Sequence, residues 1–332
     1  MKKYVFYLVL AIIVTGLVLS GCQRGRGDGR TVLRIGTIFP PEDHATVALN
    51  QMARNVYERS GGTLELTVFP AGQLGSGTAQ MEMVRMGTLD MLLDATAMQG
   101  IFSNDRQMEN MFFAFRDAAH YTAWRTSEAN RQIEEDLLRQ TGVRVLTNNW
   151  YRGPRSFISR VPFDAQNIDR MIIRVPDVRA FFESVIAMGA SPTQLAWGEV
   201  YLGLMQGVVD AAEGPLDMIY SMRFFEAASY IILTEHVRDS LVVYINNRVW
   251  DRLSPEHQKI LVEAAYESGV WYSAQVIAAT EAVLEDFRRV GTTITSIDTG
   301  PLRERIARRV QEIEAEGTMW RRGLHQELQN LH

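Results

Sequence analysis

Residues 171–176 read MIIRVP, and the charge inside that apolar run is the first sign of chemistry. The run has the character of a buried strand, where a guanidinium such as that of Arg174 is costly unless an anion meets it. The planar fork of an arginine matches a carboxylate through two parallel hydrogen bonds. Anion capture is the chemistry implied, with an internal Asp or Glu as the competing partner. Catalytic patterns are missing. The six histidines are scattered without paired spacing, which argues against a metal site. GQLGSGT (72–78) is glycine-rich, but it lacks the Gly-Lys-Ser/Thr of a phosphate loop, and its glycines are in the wrong order for a dinucleotide fingerprint. There is no GxSxG elbow, and no pair of carboxylates stands out for acid–base work. These residues point away from an enzyme and from a bound cofactor.

The sole cysteine has a setting of its own. Lys2 and Lys3 precede an uncharged apolar run over residues 4–19, and LSGC then ends at Cys22. A basic start, an apolar core and small residues make a secretory signal over residues 1–21. The run is shorter than the ~20 residues a membrane-spanning helix needs. LSGC resembles the bacterial lipobox, which implies that Cys22 becomes the lipid-modified first residue and anchors the protein to a lipid bilayer. A lone cysteine makes no internal disulfide. QRGRGDGR follows, and residues 22–30 read as a flexible tether. The net charge is −5, and loss of Lys2 and Lys3 makes it about two units more negative. An acidic chain is a poor partner for nucleic acid.

Elements that could position Arg174 follow from periodicity. TVLRIGTIF (31–39) alternates and stops at Pro40-Pro41, a strand and a turn. Asp43 caps a predicted helix over 44–59. TLELTVF (63–69) is a second strand, 80–86 a helix and LDMLLDA (89–95) a third strand. This order predicts an α/β domain. One helix is expected over 118–141, then strands over 142–151 and 155–160. A second α/β unit follows: the IIRVP strand, a helix over 177–188, short strand SPTQLA, a helix over 199–206 and strand VVDAAEG. LVVYINNRVW (241–250) is a further strand. Ser254-Pro255-Glu256 opens a helix that runs to about residue 289, long enough to touch two domains.

Five stretches now occur in order: YERSGGTLELTVFPAGQLGSG, GTLDM, IIRVP, GASPTQLAWGEVYLGLMQGVVDAAEGP and NNRVWDRLSPEHQKIL. Together, over about residues 31–315, they resemble the solute-binding proteins of tripartite ATP-independent periplasmic (TRAP) transporters, of the dicarboxylate-binding type. The resemblance implies a two-lobe α/β binding-protein fold with β-strand hinges and a long helix spanning both lobes. It places 31–152 plus 242–283 in one lobe and 153–241 plus 284–332 in the other. It implies an organic-acid ligand held between closing lobes, and a membrane permease as partner on the periplasmic side of the envelope. A ligand sensor that presents its closed state to a signalling receptor is the rival reading.

The resemblance also assigns residues. Arg174 takes the position of the ligand-gripping arginine. Arg155 matches a second arginine that supports the same anion, with Arg152 a competitor three residues away. Trp197, in LAWGEVY, stands where an aromatic meets the ligand, or else belongs to the core. Glu199 and Tyr201 hold the following helix. Glu213, Gly214 and Phe39 complete the expected ligand shell. The chain departs from the family where Asp-Gly-Gln-Glu-Asn-Pro becomes Asp210-Ala211-Ala212-Glu213-Gly214-Pro215, and where Arg170 replaces a glycine before the arginine strand. With polar side chains gone at Ala212 and Gly214, and Met98, Phe112 and Phe113 nearby, the expectation is a monocarboxylate with an apolar body.

Overall fold

Strand β1 (Thr31–Thr37) pairs in parallel with β2 (Leu64–Phe69) on one side and β3 (Met91–Ala95) on the other. Parallel neighbours need crossovers, and helices α1 (His44–Arg59) and α2 (Gly77–Met86) supply them. Each starts at a side-chain cap: Asp43 accepts from Ala45 N, and Ser76 accepts from Ala79 N. Because Ser76 is the cap, α2 opens three residues before the predicted start. This computed structural model describes residues 30–331. The signal run, Cys22 and the tether up to residue 29 lie outside the described residues.

The predicted helix over 118–141 is two helices, α3 (Ala118–Arg125) and α4 (Glu128–Thr141). Ser127 interrupts them because its side chain accepts from Asn130 N and starts a new helix. The two strands expected over 142–160 are one, β4 (Val143–Ser159). It crosses between lobes through register shifts, with Gly153 at φ 74° and Pro154 beside it. Proline lacks an N–H, so an irregularity is where a strand tolerates it. The second lobe continues with β5 (Ile172–Val175), α5 (Arg179–Met188), β6 (Ser191–Gln194), α6 (Val200–Gln206), β7 (Ala211–Pro215) and α7 (Leu216–Ser221). The strand expected over 241–250 begins earlier and ends sooner, as β8 (Tyr230–Asn246). The Asn246 side chain accepts from Arg248 N and Val249 N, turning the chain into the short helix α8 (Asn247–Trp250).

Strands run in the order β2-β1-β3-β8-β4-β7-β5-β6, and β9 (Thr293–Ser296) pairs with β8. The far half of β8 pairs with β3, and its near half with β9. Antiparallel β4 and β8 thus belong to both lobes. Helix α9 (Pro255–Arg289) packs on α1, β4, α7 and β9, so it braces both lobes as the sequence suggests. Trp150 Nε1 donates to Ala265 O at 3.0 Å, and Tyr151 N donates to Ser273 Oγ at 2.9 Å. A Cβ at Gly269 would lie 2.4 Å from Trp150 Cδ1, so this mid-helix glycine lets strand and helix touch. Helices α10 (Gly300–Glu316) and α11 (Leu324–Gln329) end the described chain. Among the described residues, no helix is long and apolar enough to cross a membrane.

Candidate functional site

A cavity of about 400 Å³ opens between the lobes, within the roughly 300–1,000 Å³ usual for small-molecule sites. The first lobe brings Phe39, the opening turn of α2, Asp94 from the end of β3, and Met98. The second brings Arg174 from β5, Phe181 from α5, Gln194 from the end of β6 and Leu195 to Trp197 after it. Arg152 and Arg155 enter from β4 near its crossing.

The three arginines differ in what holds them. Arg155 donates through Nε and Nη2 to both oxygens of Glu213, at 2.5 and 2.6 Å, and its Nη1 lies 3.4 Å from Asp239. Burial works against the Arg155 charge, but Glu213 and Asp239 more than offset it, and its pKa rises. Arg152 has its Nε 3.4 Å from Asp239 and its Nη2 3.0 Å from the sulfur of Met218. Arg174 donates from Nε to Leu195 O at 2.9 Å, and its nearest carboxylate oxygen, on Glu213, is 3.8 Å away. Burial pulls the Arg174 pKa down to about 10; Glu213 pulls it back in part, while Arg155 adds to the fall. Its guanidinium carbon stands 5.3 Å from the Trp197 ring centroid. Arg174 is therefore the least compensated cation of the three.

Arg174, Arg155, Trp197 and Phe39 come together at the cavity, and Arg152 joins them. Glu213 and Gly214 do not line it. Burial would raise the Glu213 carboxyl, but Arg155 holds it far below the usual carboxylate range, so Glu213 serves as the anchor of Arg155. A Cβ on Gly214 would sit 2.9 Å from Trp197 Cη2, so the indole fills the space that the glycine vacates. Ala212 is fully buried. The missing polar side chains thus leave no open apolar wall; the apolar lining comes from Phe39, Met98, Phe181 and Trp197. Phe112 is core, edge-on to Phe181 at 5.5 Å, and Phe113 lies beneath Arg303. Glu199 accepts from Ala196 N at 2.9 Å, and Tyr201 donates to Glu226 at 3.3 Å, both away from the cavity. Asp94, Phe181 and Gln194 escaped the sequence reading. For Asp94 the signal exists: it is the one acid inside the buried LLDA run, as Arg174 is the one base inside IIRV.

A family model described as "Bacterial extracellular solute-binding protein, family 7" matches residues 35–316. The chain belongs to that family. The 2,3-diketo-L-gulonate-binding periplasmic protein of Escherichia coli is 29% identical to this solute-binding protein over 287 residues, 85% of this chain and 86% of the relative. The sialic acid-binding periplasmic protein of Vibrio cholerae is 25% identical over 292 residues, 88% of this chain and 91% of the relative. A TRAP periplasmic solute-binding protein of Roseobacter denitrificans, solved with β-D-glucuronate, superposes with a TM-score of 0.84 at 25% identity, over 91% of this chain and all of that one. A TRAP protein of Desulfovibrio salexigens, solved with orotic acid, gives 0.82 at 27%, over 90% of this chain and 96% of that one. This family 7 protein is accordingly a TRAP-type solute-binding protein, a binding protein rather than an enzyme.

Proposed function

We propose that Arg174 grips the carboxylate of an organic acid between the lobes, and that the closed, loaded protein is what a TRAP permease, driven by an ion gradient, accepts. One observation carries the assignment: Arg174 is buried at the cavity wall, with its charge less compensated than that of either neighbouring arginine. A ligand carboxylate supplies the missing anion, and water excluded on closure strengthens the pair. Trp197 offers its face to the guanidinium and helps to fix its plane. Arg155, locked on Glu213, contributes positive potential without reaching for the ligand. Phe39 forms part of the apolar wall. The relatives' ligands, 2,3-diketo-L-gulonate and glucuronate among them, support the acid class.

A thermal-shift screen of sugar acids, 2-oxo acids, dicarboxylates, aromatic acids and medium-chain fatty acids finds the ligand. Calorimetry with that ligand then tests the grip. Arg174→Ala weakens binding by ~2–5 kcal/mol, because the buried carboxylate loses its partner. Arg174→Lys recovers part of it, since an ammonium lacks the two-pronged fork. Equal affinity in wild type and Arg174→Ala overturns the assignment.

The lobes in this reading are residues 31–152 plus 242–283 and residues 153–241 plus 284–332, moving about β4 and β8. Residues 1–21 act as the signal, and Cys22 carries lipid that tethers the protein to a membrane on the periplasmic side of the envelope. Support for the anchor is LSGC after an apolar run in a chain with one cysteine. Cys22→Ser moves the expressed protein from the detergent phase to the aqueous phase on partitioning. If Cys22→Ser partitions like wild type with the apolar signal removed from both forms, Cys22 is not the anchor.

A further inference from the structure

Arg174, Glu213, Arg155, Asp239 and Arg152 form one buried row of alternating charge, with gaps of 3.8, 2.5, 3.4 and 3.4 Å between neighbours. The middle cation, Arg155, spends its donors on its two carboxylates. The end cations are Arg174 and Arg152, and both line the cavity. Residues three apart on a regular strand point to opposite faces. Gly153, at φ 74°, and the register shift between Tyr151 and Pro154 break that rule, so Arg152 and Arg155 both turn to Asp239 on β8.

Arg152 has donors to spare. It is 4% exposed, and its Nη2 meets only the sulfur of Met218, a weak acceptor. Its Nε and the facing Asp239 Oδ1 are sealed from solvent, and at 3.4 Å they make no hydrogen bond. Its Nη1 makes none among the described residues either, yet that atom is not sealed off. A guanidinium offers donors alone, so the group that answers Arg152 has to be an acceptor.

Charge and proton count decide which acceptor. Three arginines in the row face two carboxylates, and a ligand carboxylate at Arg174 cancels the excess. Burial pushes the Asp94 carboxyl, on the same cavity wall, up to about 6, so near neutral pH it is mostly ionised. A second ligand carboxylate would bring uncompensated charge into the closing cleft. A hydroxyl would accept from Arg152 but strand its own proton, because the unpartnered oxygens nearby, Asp239 Oδ1 and Asp94 Oδ2, are sealed. A carbonyl oxygen accepts and needs nothing more.

We propose that Arg152 reads a carbonyl oxygen of the ligand, remote from its carboxylate, and so selects an oxo acid with a single charge. This rests on the assignment of the carboxylate to Arg174. Glu213, Arg155 and Asp239 separate the two end arginines, so the carbonyl lies several atoms from the carboxylate rather than next to it. The monocarboxylate expected from Ala212 and Gly214 keeps its single charge, but its body carries a polar oxygen.

The test compares hexanoate, 2-oxohexanoate, 4-oxohexanoate, 5-oxohexanoate, 5-hydroxyhexanoate and adipate by calorimetry on wild type, Arg152→Met, Arg152→Lys and Arg174→Ala. Wild type is expected to bind 4-oxohexanoate or 5-oxohexanoate about tenfold or more tighter than hexanoate. The ratio between the two acids is the readout, because loss of a positive charge weakens every anion. Arg152→Met should bring that ratio close to one, and Arg152→Lys, which keeps charge and donors, should hold part of it. Circular dichroism confirms folding, and if Arg152→Met does not fold, the wild-type ranking of the six acids still decides. An unchanged ratio in Arg152→Met means that Arg152 only supports Asp239. That result, or tightest binding by hexanoate, 2-oxohexanoate, 5-hydroxyhexanoate or adipate, overturns the role of Arg152 while leaving Arg174 standing. Undiminished binding in Arg174→Ala, or no binding by any of the six acids, overturns both.

Discussion

Gly214 and Glu213 are neighbours on β7 that act on opposite faces of the strand, as the alternation of side chains requires. Gly214 makes room for Trp197, so the Cβ of Gly214→Ala, 2.9 Å from Trp197 Cη2, forces the indole away. Overpacking of this kind costs about 1–3 kcal/mol of stability. Denaturant titration should show a lower midpoint, and calorimetry a weaker ligand, because Trp197 would shift beneath Arg174. An Ala variant as stable and as tight as wild type would refute this packing. Glu213→Gln should be worse, at about 3–5 kcal/mol, because buried Arg155 would lose its two-pronged partner and keep only Asp239, which it shares with Arg152. Arg174 was legible in the sequence because a single charge in an apolar strand must be answered. Asp94 carries the same signal, a single acid in an apolar strand, but without a partner in sequence to mark it. The roles of Glu213 and Gly214 were not legible, since pattern alone does not say which face of β7 meets the ligand and which meets Arg155.

At the scale of elements, the two units and the long helix followed from periodicity and from Ser254-Pro255. The continuity of β4 did not. Gly153-Pro154 has the chemistry of a turn, and only pairing with β8 across several register shifts keeps it within a strand. The start of β8 was missed for a related reason: Glu235 has φ 48°, and the polar TEHVRDS stretch hides a strand whose bonds go to a distant partner. The junction of α9 with β4 can be tested directly. Alanine normally gains about 1 kcal/mol over glycine inside a helix. At Gly269 the new Cβ would meet Asn149 Oδ1 and Trp150 Cδ1, each 2.4 Å away. Gly269→Ala should therefore lower the unfolding midpoint against its helix propensity. A more stable variant would mean that the strand yields without cost.

For the whole molecule, the lobes also meet away from the cavity. Ser221 Oγ on α7 donates to Asp43 Oδ2 before α1 at 2.7 Å, and His44 Nδ1 stands 3.9 Å from Asp217 Oδ2. Burial first, then Asp217, push the Asp43 carboxyl up to about 6. A carboxyl whose pKa is raised on folding holds its proton better in the folded state. Its contribution, up to about 3 kcal/mol, is full below about pH 4 and is lost as pH rises through about 6. Asp43→Asn keeps a capping side chain and removes that titration. Its melting temperature should fall less than that of wild type between pH 4 and 6, with the share of Asp94 remaining. Identical profiles would show that Asp43 does not titrate in this window. Saturating ligand should reduce the radius of gyration in solution scattering, and an unchanged value would argue for rigid lobes.

The same interleaving of lobes sets an order of events in time. Leu93 of β3 finds its sheet neighbour in Val243, about 150 residues further along the chain. Pairing across such a distance is slow, because the intervening chain must be ordered before the contact repays it. While the chain is being synthesised, β3 has no partner on that side until β8 has been made, so the first lobe stays unfinished throughout. In a chain of an extracellular family, a first lobe that cannot close until β8 arrives stays open through most of synthesis.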